Sequence, residues 1–503
     1  MSRPRSDASI ESYTARVLAP WSPIVVSNRA PYEIASDGST RKGAGGVVTA
    51  LLAVAEATGA NWVACARGEH ERTLARKHGG SIEVPGQRGP LHIHYAAPTD
   101  DQYYMYYSVI SNPLLWFIQH YLWDLTHEPV IDDRIHSAWH EGYVKVNRLL
   151  AESVLRVARR AKQTPLVLTQ DYQLYLAPRA IREQLPDAAL QQFVHIPWPT
   201  PQYWKILPQV MRDAIVDGLL ANDIIGFQST LDVRNFLITC EENMGIRVDH
   251  RERAVLYNGR VVWVRSYPIS IDVDSLEQMA SSAGVRKERE AIESWRPEKL
   301  IVRVDRTDPS KNVVRGFLAY EKLIKSHPEL RRKVQFWAFM QPSRQDVPDY
   351  RDYLKRIRGT VRRINDELGL SGWEPIRLEL GENLRRAVAA YRSFDVLLVN
   401  PIYDGMNLVA KEGMLVNDRD GALVLSENAG SHEELGEAAL TVNPFDVDQT
   451  AEAMHQALVM PALQRRKRGE ALRRVIRNND INRWVSLQIR DLRDLVAPSL
   501  QAG

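Results

Sequence analysis

Two doubly wound α/β domains are what the sequence predicts, and three observations predict them. Short apolar runs alternate with helical patterns through both halves of the 503 residues, a length too great for one core. Polar or glycine-bearing turns follow many of those runs, as at the carboxyl ends of parallel strands. The clearest unit is the run 396–401 followed by Asp404-Gly405-Met406-Asn407-Leu408-Val409-Ala410-Lys411-Glu412, which reads as a buried strand, a tight turn and a helix over 408–415.

The helix start in that unit favours an anion, because its first amides lack partners and its dipole is positive there. Glu412 lies one turn beyond Leu408 on the same face and can accept from ribose hydroxyls, while the amides near Leu408 hold phosphate. Asp404 in the turn can accept from sugar hydroxyls. An ordinary capped helix with a solvated Glu412 explains the spacing equally well.

Composition narrows the class. Hydrophobic residues make up 44% and charged residues 25%, as in ordinary globular proteins. The net charge of +3, from 65 basic against 62 acidic residues, gives no case for a nucleic-acid partner, although a local basic pocket stays open. Cys65 and Cys240 are far apart and form no metal-type pair, so a reducing interior is expected. The first 20 residues have no apolar signal core. No run approaches the ~18 apolar residues of a membrane helix. A cytoplasmic protein without a membrane partner is expected. No acidic or histidine cluster suggests a metal.

Taken in order, the first half reads as a strand at 23–29 that ends at Arg29, then Gly43-Ala44-Gly45-Gly46 and a helix to about 58. The glycines suit close backbone approach, but a tight turn without a ligand accounts for them too. Strands follow at 62–65 and 91–95. The aromatic cluster 103–107, with Tyr107, and the segment 112–116, ending in Trp116, suit either core or the wall of a sugar pocket. A long amphipathic helix is expected at 135–161. Strands at 165–170 and 192–196 bring Asp171 and His195 near strand ends, and 223–227 is a further buried strand. No GxSxG serine accompanies Asp171 and His195, so positioning suits them better than covalent catalysis.

In the second half a strand at 300–305 feeds Arg306-Thr307-Asp308-Pro309-Ser310-Lys311, and a helix runs over 313–325. Two cations at a helix start oppose its dipole, which makes sense if an anion sits between Arg306 and Lys311. Strands at 334–341 (before Arg344), 376–381, 422–427 and 440–442 continue the alternation. The tail 462–495 reads as one or two amphipathic helices with a solvated arginine-rich face.

The separated motifs SNR (27–29), GAGG (43–46), NPLLW (112–116), DYQL (171–174), HIPWP (195–199), RTDPSK (306–311), PSR (342–344), DGMNLVAKE (404–412) and NDIN (479–482) together resemble the trehalose-6-phosphate synthase family of retaining glycosyltransferases. That resemblance covers 25 to about 495. It implies a GT-B fold, with Rossmann-like domains at 1–268 and 269–470 facing across a cleft and helices 471–503 packing back on the first. It implies transfer of glucose from UDP-glucose or GDP-glucose to glucose 6-phosphate, with no cofactor.

By the same resemblance, Arg306 and Lys311 hold the diphosphate and Glu412 the ribose. Asp404, Met406, Asn407 and Leu408 meet the transferred glucose or its phosphates, and Gly46 approaches the phosphate. Asp171 and His195 line the reacting sugars. Arg29, Tyr107, Trp116 and Arg344 bind the sugar-phosphate acceptor. Glu382, after the strand 376–381, lies where the family seats the base; a carboxylate there suits guanine.

The chain departs from the family pattern at Cys65, which replaces a tryptophan, at DYQL for DYHL, and at Asn312, which replaces a glycine. Such variants keep glycerol 3-phosphate or a cyclitol phosphate open as acceptor. A catalytically silent sugar-phosphate regulator is the rival class. A homo-oligomer also stays open.

Overall fold

The computed structural model describes residues 10–34, 39–43, 46–77, 80–86 and 89–496. The chain divides into two units, one of residues up to 269 with those from 482 onward, the other of 270–481.

In the first unit ten strands form one sheet, in the order Val248–Asp249, Ala254–Tyr257, Arg260–Ser266, Ile224–Phe227, Ala189–Phe193, Thr164–Gln170, Trp21–Ser27, Asn61–Cys65, Pro90–Ala96, Ser81–Pro85. The central strands are parallel. Antiparallel pairs finish both edges. The outermost strands Val248–Asp249 and Ser81–Pro85, and the hairpin Tyr32–Ile34 with Thr40–Lys42, are short and half-polar, so their sequences carry little strand signal. The sheet reverses its winding between Trp21–Ser27 and Thr164–Gln170, so the segments after Ser27, Gln170 and Phe193 emerge beside one another at the ligand-binding end of such sheets. The helix expected over 135–161 is three pieces, Asp133–Ser137, a wide π-type stretch Ala138–Val144, and Lys145–Ala158.

The second unit is a six-stranded parallel sheet, in the order Ile376–Leu380, Val334–Gln341, Lys299–Arg306, Val396–Val399, Ala422–Ser426, Leu440–Val442. Alternate residues enter opposite cores: Leu300, Val302, Leu397 and Val399 pack on one face, Ile301, Val396 and Leu398 on the other. Residues 471–481 belong to this unit, whereas the sequence reading drew a boundary at 470; Leu472 and Ile476 of the helix Ala462–Asn478 are buried in its core.

An aspartate begins a central strand of each unit. Asp223 accepts from Leu190 N and Arg182, both at 2.8 Å, and Asp395 accepts from Leu300 N at 2.9 Å and Arg296 at 2.6 Å. Each carboxylate ties the start of a neighbouring strand to an arginine outside the sheet. Removing one partner of such a buried pair strands the other charge. Asp395→Ala should therefore cost about 3–5 kcal/mol in denaturant unfolding; a loss under about 1 kcal/mol would show that the pair is not needed.

Candidate functional site

In the second unit the sheet reverses between Lys299–Arg306 and Val396–Val399, and the 306–312 and 400–407 loops leave those two strand ends. Beneath them lies Arg303, fully buried. Its Nε donates to Asp305 at 2.9 Å and its Nη1 to Asn400 Oδ1 at 2.8 Å, while Nη2 donates to Lys311 O. Gly316 makes room for this guanidinium, since a Cβ there would lie 2.6 Å from Nη1. Burial raises the Asp305 carboxyl, while Arg303 and then Lys311 pull it down.

Above this base Lys311 Nζ pairs with Asp404 Oδ2, which also accepts from Asn407 Nδ2 at 3.0 Å. Residues 93 apart in sequence thus share one charge contact. Arg306, 40% exposed, lies 3.7 Å from fully buried Asp308, and Arg344 lies 3.3 Å from the same carboxylate and donates to Tyr350 Oη at 2.6 Å. The anion expected between Arg306 and Lys311 is therefore supplied in part by the protein. Around the two loops Arg303, Arg306, Lys311 and Arg344 still outnumber Asp305, Asp308 and Asp404 by one, and Lys311 meets the turn that leads into the helix Leu408–Val416.

Asn312, where the family pattern has glycine, is left-handed at φ 58° and ψ 37°. Asparagine tolerates that region better than most residues, and here its Nδ2 donates to Asn400 O at 3.0 Å and Pro444 O at 2.7 Å. Asn407 is left-handed too, at φ 67°. The 404–407 turn is clamped to 428–431: Gly430 N donates to Asp404 O at 2.9 Å and Ser431 N to Met406 O at 2.9 Å. Only glycine fits at 430, since a Cβ would lie 1.8 Å from Gly405 O.

Leu408 opens the helix, and Glu412 one turn on accepts from Tyr391 Oη at 2.9 Å; burial raises the Glu412 carboxyl. Glu382 is exposed in the turn before the helix Leu384–Ser393.

In the first unit Arg29 is exposed just past its strand and donates from Nη2 to Tyr107 Oη at 3.1 Å. Tyr107 stacks on Tyr103 with ring centres 5.6 Å apart. Trp116 is nearly buried, stacks on His120 at 4.0 Å and leans on Tyr172 at 5.7 Å. Gly46 begins the helix Gly46–Thr58, while Ala44 and Gly45 lie outside the described residues. Cys65 is buried, and burial first, then Glu71, pushes its thiol up.

Asp171 sits at φ 74° and ψ 174°, a region costly for any residue with a Cβ. The strain is held by contacts the sequence reading missed. Tyr143 Oη donates to Tyr172 O at 2.5 Å, and Asn147 donates to Gln173 O at 3.1 Å and accepts from Ala177 N at 3.0 Å. A polar Asn147 inside the apolar stripe of a helix was the available signal. Asp171 Oδ1 accepts from His195 N at 3.1 Å. The His195 ring lies between two amides, with Nε2 donating to Gln170 Oε1 at 3.0 Å and Nδ1 accepting from Gln228 Nε2 at 3.4 Å. Burial lowers its pKa to about 3, so it is a neutral imidazole.

The sequence matches the model of glycosyltransferase family 20 over residues 22–494. It is 32% identical over 483 residues to the trehalose-6-phosphate synthase of Salmonella paratyphi B, covering 95% of this chain and 96% of the relative. A solved E. coli structure bound with UDP-2-fluoro glucose is 29% identical with a TM-score of 0.83, covering 94% of this chain and 99% of the other. A Burkholderia xenovorans alpha,alpha-trehalose-phosphate synthase (UDP-forming) in complex with glucose-6-phosphate is 29% identical with a TM-score of 0.79, covering 93% and 99%. No helix of the described residues is long and apolar enough to cross a membrane.

The neutral His195 has a consequence for acid stability. Its folded pKa of about 3 lies below the ordinary 6.5, so between those values the unfolded chain binds the extra proton. The His195 contribution is whole above about pH 6.5 and is lost as pH falls towards about 3. His195→Asn should flatten the acid-side loss of unfolding free energy in that window; equal slopes for the two proteins would refute the assignment.

Proposed function

Since the chain belongs to glycosyltransferase family 20, we propose that it moves glucose, with retention, from a nucleoside diphosphate glucose to glucose 6-phosphate, giving trehalose 6-phosphate. The observation that carries this reading is the cation-rich turn of Arg306 and Lys311 set against Asp404 and the start of the Leu408–Val416 helix. A diphosphate leaving group needs its growing charge stabilised, and fixed cations and backbone amides do this without reorganising. In this reading the diphosphate takes over Lys311 from Asp404, whose carboxylate turns to hydroxyls of the transferred glucose. Met406, Asn407 and Leu408 present backbone to the phosphates, and Gly46 adds its own. Glu412, oriented by Tyr391, accepts from the ribose.

Arg29 with Tyr107, Trp116 and Arg344 are the groups proposed for the acceptor, the two guanidiniums suiting a phosphomonoester. In this reading the neutral His195, its two ring nitrogens held by Gln170 and Gln228, lines the reacting sugars rather than acting as a general acid, and Asp171 lies beside it. The departing phosphate oxygen can take the acceptor proton, so the reading requires no protein base. Glu382 is proposed at the base, where its carboxylate would favour guanine over uracil.

Lys311→Ala should lower turnover by about 10²–10³-fold, as the loss of a transition-state charge stabiliser does. Near-normal turnover would remove Lys311 from the mechanism. Competition between UDP-glucose and GDP-glucose, repeated with Glu382→Gln, decides the nucleoside. Mass spectrometry of products from glucose 6-phosphate, glycerol 3-phosphate and a cyclitol phosphate tests the acceptor, the point that Cys65 leaves open. The absence of donor turnover with any of them would instead support the regulator.

A further inference from the structure

The sequence reading named no metal ligands, yet the fold gathers three. His327 ends the helix Val313–Ser326, and Glu452 and His455 lie one turn apart on the helix Val447–Val459. One ligand atom from each of the three lies within 4.8 Å of the others. The His327 and His455 rings are nearly parallel, 3.7 Å apart. Glu452 Oε1 accepts from Gln456 at 3.0 Å, which fixes that carboxylate on the helix surface. His327 Nδ1 lies 3.3 Å from Glu329 Oε1. With Nδ1 donating there, Nε2 keeps its lone pair, which is the arrangement by which a carboxylate orients a metal-bound histidine.

We infer that His327, Glu452 and His455 form a binding site for a zinc-class divalent ion, with Glu329 orienting His327. Two imidazoles and one carboxylate suit Zn²⁺, Ni²⁺ or Cu²⁺ rather than Mg²⁺ or Ca²⁺, which take oxygen ligands. Stacking accounts for the rings as they stand, and binding an ion requires the two imidazoles to turn out of that stack so that their lone pairs converge, with Glu452 within reach of both. The site is a structural brace. It joins two helices whose starts are already tied by the bond from Asn312 to Pro444, and which the Lys322–Asp448 pair at 3.2 Å links further along the first helix. The Val313–Ser326 helix is about 20 Å long, so the ion would sit far from Lys311 and take no part in glycosyl transfer.

The test uses the full-length, tag-free chain after chelation and dialysis. Zinc titrated calorimetrically should bind saturably at one equivalent and raise the thermal midpoint. His455→Ala should weaken that binding at least tenfold and abolish the rise. Glu452→Gln, an exposed change that leaves folding intact, should weaken it several-fold. With one equivalent of Cu²⁺, electron paramagnetic resonance should show two coordinated nitrogens, falling to one in His455→Ala. Saturable zinc binding that is unchanged in a His327→Ala/His455→Ala double variant would overturn the proposal, as would no saturable binding. Circular dichroism identifies any variant that has lost its fold, and the Glu452→Gln comparison then decides.

Discussion

The arginine hidden beneath the second unit's loops is the constraint on which the site rests. Arg303 joins its own strand through Asp305, the next strand's end through Asn400, and the 306–312 loop through Lys311 O. A fully buried guanidinium is tolerable only with every such partner in place, so the three segments are held as one piece. Lys311 then projects from a fixed backbone, and its ammonium meets Asp404 rather than wandering in solvent. The close approach at Gly316 belongs to the same solution, because a side chain there would displace the guanidinium.

The same economy governs charge around the loops. Asp308 stands between Arg306 and Arg344, and Asp404 partners Lys311, so the cations are balanced nearly one for one within the protein. In the proposed reading a ligand phosphate would exchange with existing carboxylates instead of filling an unbalanced hole. The internal pairing stabilises the free protein while leaving one basic group in excess. In the first unit the comparable constraint is steric. Asp171 keeps an unfavourable backbone because Tyr143 and Asn147 hold the carbonyls that follow it, and its carboxylate holds the amide of His195.

Much of this was legible beforehand where the signal is local. The strand-turn-helix units around 306–311 and 404–412 follow from short apolar runs, turn residues and helix starts, and the structure has them. Less legible were the outermost edge strands Val248–Asp249 and Ser81–Pro85, which are short and half-polar, and the wide turns at Ala138–Val144, where helical periodicity continues through a change in hydrogen bonding. The metal-ligating trio was out of reach because His327 is 125 residues from Glu452, and neither residue is unusual alone.

By itself the sequence determined the two α/β units, the strand ends that carry charge, and the chemistry available at each, because side-chain periodicity and turn composition act over a few residues. Tertiary structure decided which charges meet. Lys311 finds Asp404, Arg306 and Arg344 share Asp308, and His195 loses its proton, because pairing and desolvation depend on distances between segments that no local pattern encodes.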